Sequence, residues 1–204
     1  MNPQKIARVA GVLLVITFIT SIPAQLILYA PVLHNPDYIL GGGAADNGVA
    51  SGAFLELLLI IANIGSAVVL FPVLKRVNEI LALGYVTARV IESAFIAVGL
   101  LGLLTLVTLR QNLAGAANAD AGSLLTVGKS LVALHDWTFL LGPGFVVGVG
   151  NGLILGYLMY RSRLVPRAMA VLGLIGGPLI IASGVAVLFG VIEAGGMAGH
   201  RDHP

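Results

Sequence analysis

Cysteine is absent from the 204 residues, and charged residues make up only 10% of them. Without a thiol the chain has no disulfide, no thiolate nucleophile and no thiolate metal ligand. So few charges cannot cover a globular surface in water, where about a quarter of residues are charged. Period-two alternation is missing as well, which excludes barrel strands. No HExxH, GxSxG, Walker or GxGxxG frame occurs in its required context. What the chain has instead is apolar length: 58% of it is hydrophobic, and its mean hydropathy is +1.01. Several windows are apolar for about 20 residues, enough to cross a hydrocarbon core of roughly 30 Å. The fold class is an all-α membrane protein.

The net charge of +2 and a pI near 9.2 would suit nucleic acid, but the basic residues sit at the ends of apolar runs. Topology explains them, and no nucleic-acid partner is expected. The partner that composition implies is the lipid bilayer. Five spans are predicted, at residues 7–30, 52–74, 78–110, 136–160 and 168–192, forming a single membrane domain over residues 1–193. Residues 194–204 form a polar tail. Lys5 and Arg8 also suit a signal peptide, but Ile22 spoils a small-x-small cleavage pattern before Ala24, so the first span reads as retained. Pro23 is expected to kink it. Residues 31–50 read as a loop.

Residues 123–134 are too short and too charged to span. They read as an amphipathic interfacial helix before the fourth span. Five spans place Lys5, Arg8, Lys75, Arg76, Arg161, Arg163 and Arg167 on one side. Arg110, Lys129 and Arg201 fall on the other. This asymmetry predicts a cytoplasmic amino terminus, an external carboxyl terminus and a bacterial cytoplasmic membrane.

Glycine, a poor helix former in water, recurs at every fourth place in the fourth span, at Gly144, Gly148, Gly152 and Gly156. In lipid, small residues at this spacing let another backbone come close, so this face reads as a packing seam at the centre of the bundle.

Three charges fall inside apolar spans: Glu56, Arg89 and Glu92. A charge at the bilayer centre costs roughly 2.5–3.5 kcal/mol even on lenient scales, so each should face protein or water. Counting outward from the turn at Arg76 brings Asn63 level with Arg89. Tyr85, Arg89 and Glu92 share one stripe of the third helix, and Arg89 can pair with Glu92 at i, i+3. His135, Asp136 and Asn151 add polar groups on the fourth span. These eight residues predict one polar pocket that opens outward. A purely structural ion pair with Asn63 as partner is the competing reading. His135, Asp136 and Glu56 are of the types that bind zinc or manganese, though their spacing matches no known frame. No cofactor or catalytic residue is assigned.

The stretches LHDWTFLLGPGFVVGVGNGLILGYLMYRSRLVPR, RVAGVLLVITFIT and VLKRVNEILALGYVTARVIES resemble those of bacterial integral membrane proteins grouped as domain of unknown function 4386. The likeness runs from about Ala7 to Phe189. It implies the membrane fold and assigns no activity. The function expected is binding, transport or sensing of a small or lipid-like molecule without enzymatic turnover. A metal-dependent hydrolase or lipid-modifying enzyme is one alternative; an accessory subunit of a larger membrane complex is another. A secondary transporter built from five spans without a repeat is unusual, so a homo-oligomer or another membrane subunit is the expected partner.

Overall fold

A computed structural model describes residues 3–35, 37–41, 43–113 and 121–192. Among these the chain is helical, with no strand. Five helices are long and apolar enough to cross a membrane: Gln4–Leu33, Asp46–Leu74, Glu79–Asn112, Ala121–Ser162 and Arg167–Leu188. They are the first to fifth spans below. The tail, with Arg201, lies outside the described residues.

The first span packs along the second, the second on the third, the third on the fourth, and the fourth on the fifth. The centre of the bundle is the third span, not the fourth. Half of the third span's apolar window is buried, against 28% for the fourth and 6% for the fifth. The third helix owes this place to its two used faces: one meets the second span, the other the fourth. It is also long. Glu79–Leu113 is 35 residues, about 50 Å at 1.5 Å per residue, so it outruns the hydrocarbon core.

Residues 31–50 are less open than a loop. Short helical turns at Ala30–Leu33, Tyr38–Leu40 and Gly43–Ala45 lead into the second span, which begins at Asp46. Tyr38 and Ile39 are buried there. Asp46 gathers the end of this segment: Tyr38 Oη donates to its Oδ1 at 2.5 Å, Arg110 Nε to the same oxygen at 2.9 Å, and Gln111 Nε2 to Oδ2 at 2.9 Å. Arg110 also pairs with Asp46 through Nη2 and lies over the Tyr38 ring. Burial, then the bond to Asp46, pushes the Tyr38 phenol up to about 12.

The segment expected as a separate interfacial helix is helical, but it runs without a break into the fourth span. Its apolar residues Leu124, Leu131 and Val132 pack on a protein cluster that includes Tyr29, Val32, Ile39 and Leu103, and Gly128 lies against Ile39. Lys129 points to the exposed side. The amphipathic face was legible, but it covers protein rather than headgroups.

Two helices widen to π winding. In the first span the π turn Ala24–Leu28 follows Pro23, where the kink is expected. In the fourth, Leu140–Val146 and Gly148–Leu155 are both π. Pro143 lacks the N–H that would close an α turn, and the glycines around it offer no side chain to hold the tighter winding.

The fourth span's glycines divide between two neighbours. A Cβ on Gly148 would lie 2.7 Å from Ile181 and 3.0 Å from the Gly177 carbonyl of the fifth span, and one on Gly156 would lie 3.2 Å from Leu174. Gly152 approaches Gly177 in the same way. Gly142 and Gly150 turn instead to the third span, where their Cβ atoms would come within 2.5 Å of Phe95 and 2.8 Å of Ala88. Gly144 meets only atoms of its own helix, Phe139 and Leu140.

Candidate functional site

Two apolar clusters close the ends of the bundle. One is built around Tyr29, Val32, Leu103 and Leu106, the other around Leu70, Leu74, Tyr85 and Leu158. Between them lies a polar layer. Arg89 Nη1 donates to Glu92 Oε2 at 2.6 Å, and its Nη2 donates to Asn63 Oδ1. Asn63 Nδ2 in turn donates to Glu92 Oε1 at 3.1 Å. The three side chains close a ring across the second and third spans. Arg89, Asn63 and Glu92 are exposed by 5% or less, so the charges of the pair offset each other where water cannot.

Glu56 stands apart from this ring. It is 6% exposed, and its Oε2 accepts a bond of 3.0 Å from Tyr29 Oη of the first span. The ion pairs among the described residues are Arg89–Glu92 and Arg110–Asp46, so Glu56 has no cation. Gly52, one turn before it, makes room for this contact: a Cβ there would meet the Tyr29 ring within 3.0 Å. His135, almost fully buried, sits edge-on to Tyr29 with ring centroids 5.6 Å apart, and its Nε2 lies 3.3 Å from Gln25 Oε1. Gly99 lets it come so near the third span, since a Cβ there would lie 3.1 Å from His135 Nδ1.

A cavity of about 370 Å³ occupies the middle of this layer. Glu56, Asn63, Arg89, Glu92 and Asn151 line it. Two of these residues carry a buried polar atom with no partner: Arg89 Nε, a donor, and Asn151 Oδ1, an acceptor. Its other walls are mostly apolar, among them Leu14, Leu59, Ile96 and Val147. The rim includes Phe18, Ile22 and Leu26 of the first span and Phe139 of the fourth. These four are 43–69% exposed, so the cavity meets the surface on the flank of the bundle rather than at the expected outward end. The cause is the first span, which packs along the second and touches the fourth little.

Three of the eight expected site residues lie off the cavity wall. Tyr85 is buried one turn before Arg89 in the neighbouring apolar cluster. His135 stands behind Gln25. Asp136 is half-buried and is not among the residues that line the cavity. Among the described residues no group of three His, Cys, Asp or Glu side chains could hold a metal ion. His135, Asp136 and Glu56 therefore do not converge as a metal centre.

The first span supplies what sequence reasoning missed. Thr17, Ser21 and Gln25 line the cavity, and with Tyr29 they recur at every fourth residue. That spacing puts all four on one helical face, a signal present in the sequence.

A family model described as a domain of unknown function, DUF4386, matches residues 9–199. The chain belongs to this family. DUF4386 carries no assigned activity in that description, and neither the curated proteins nor the solved structures yield a match. The cavity and its polar layer are therefore the ground on which a function for this DUF4386 protein has to be argued.

Proposed function

We propose that the protein is a non-enzymatic membrane protein that binds a small lipophilic molecule in the mid-span cavity and serves its transport or sensing. The observation that carries this reading is an apolar, side-opening cavity with a few polar side chains set in its walls, two of which, Arg89 and Asn151, hold a buried atom that lacks a partner. Buried polar atoms are rarely left without partners, and pockets that orient a ligand set a few polar groups in apolar walls. The flank opening supports entry from the acyl phase. We place the chain in a bacterial cytoplasmic membrane with its amino terminus inside, on the asymmetry of its basic residues. The pairing of Arg110 with Asp46 offsets one of the few positive charges assigned to the outer side.

Native mass spectrometry of the protein purified in mild detergent tests the reading. A retained small-molecule mass is expected on the wild type and should be absent from Ser21→Phe, which fills the cavity while the helices keep their melting temperature. Equal occupancy of the two proteins would remove the cavity as the site.

A further inference from the structure

The charges that border the cavity do not balance. Two carboxylates, Glu56 and Glu92, line it with a single guanidinium, Arg89. That guanidinium is committed to Glu92 and Asn63. Glu56 holds one hydrogen bond, from Tyr29 to Oε2, and among the described residues no donor reaches its Oε1. A carboxylate at this depth requires either a proton or a positive charge beside it. Among the described residues no cation pairs with Glu56, and the cavity provides the room.

Resting on the ligand-site reading above, we infer that the cavity takes a lipophilic cation, an ammonium or phosphonium carried by apolar groups, with Glu56 as its counter-charge. The apolar walls and the exposed rim of Phe18, Ile22, Leu26 and Phe139 match the body of such a molecule. A cation and a proton then compete for the same carboxylate. Tyr29 of the first span bonds to Glu56 and His135 of the fourth lies against Tyr29, while Asn63 from the second span and Arg89 and Glu92 from the third line the same cavity. Of these, His135 also becomes positive in acid, and its effect on a bound cation has the same sign as protonation of Glu56. The Glu56→Gln variant separates the two.

Tetraphenylphosphonium and tetraphenylborate have nearly the same shape and opposite charge, so together they test the assignment. Saturable binding of tritiated tetraphenylphosphonium to the full chain in lipid nanodiscs is expected, with no competition by tetraphenylborate. Glu56→Gln should weaken it roughly thirtyfold, since removing one partner of a buried charge pair costs 2 kcal/mol or more. Glu56→Asp should keep most of it. Binding should fall as pH is lowered, and the residue left in Glu56→Gln should lose most of that dependence. Ser21→Phe blocks the cavity without touching any charge and should also abolish binding, with melting temperatures confirming that each variant is folded. Saturable binding of the borate instead would overturn the cation and leave the cavity as a ligand site. Unchanged phosphonium binding in folded Glu56→Gln, or no saturable binding of either probe, would also overturn the cation assignment. The retained mass on the wild type remains the separate measure of the cavity itself.

Discussion

Arg89, Glu92 and Asn63 hold one another in a ring with no partner to spare, so each depends on the other two. Removing one member leaves a buried charge or amide exposed to nothing. Arg89→Gln and Glu92→Gln should each destabilise the bundle by about 3 kcal/mol. The double variant should lose clearly less than the sum, because the second change removes the charge that the first left alone. Equilibrium unfolding in detergent of the two singles and the double would measure this; additive losses would show that the pair is not coupled. The ring was largely legible in the sequence. Charges inside apolar spans stand out, and counting from the turn set Asn63 level with Arg89. In the stripe Thr17, Ser21, Gln25, the two hydroxyls carry little information in a lipid helix, which left Gln25 without neighbours to mark it. Thr17 and Thr20 bond to carbonyls of their own helix, Leu14 and Ile16, and such residues occur where no site exists.

Among the helices, the fourth differs most from its expected form. Of the glycine ladder at four-residue spacing, Gly148, Gly152 and Gly156 lie against the fifth span and Gly144 meets only its own helix, while Gly142 and Gly150, outside the ladder, turn to the third span. A contrast within the glycines tests how much the close approach matters. Gly148 is pressed against the Gly177 carbonyl, whereas Gly176 has nothing within 4 Å of its Cβ position. Gly148→Ala should cost about 2 kcal/mol as an overpacked contact. Gly176→Ala should be neutral or stabilising by up to about 1 kcal/mol. Thermal melting in nanodiscs compares the two directly, and equal shifts would contradict the packing described. The amphipathic segment before the fourth span shows a related limit: an apolar helical face does not say whether lipid or protein covers it. Here Tyr29, Ile39 and Leu103 do.

For the whole molecule, span number and order followed from hydropathy and length, because lipid forces every backbone polar group into a helix. Which helix lies at the centre did not follow, since all five are apolar around most of their circumference and burial depends on packing order. The absence of cysteine makes the topology open to a clean experiment. Ala45→Cys should react with an impermeant maleimide added to intact cells, and Leu164→Cys should react only after the membrane is opened. The reverse pattern would invert the orientation argued from Lys5, Arg8 and the arginines at residues 161–167. Between the fourth and fifth spans the chain turns back within residues 163–166. Arg163 there adopts a left-handed backbone (φ 55°), and the Pro166 carbonyl caps the next helix. So short a reversal, flanked by three guanidinium groups and followed by glycine-to-glycine contact, leaves little slack for the two segments to be threaded one after the other. During biogenesis they are suited to leave the insertion machinery together as a preformed hairpin with a cationic tip.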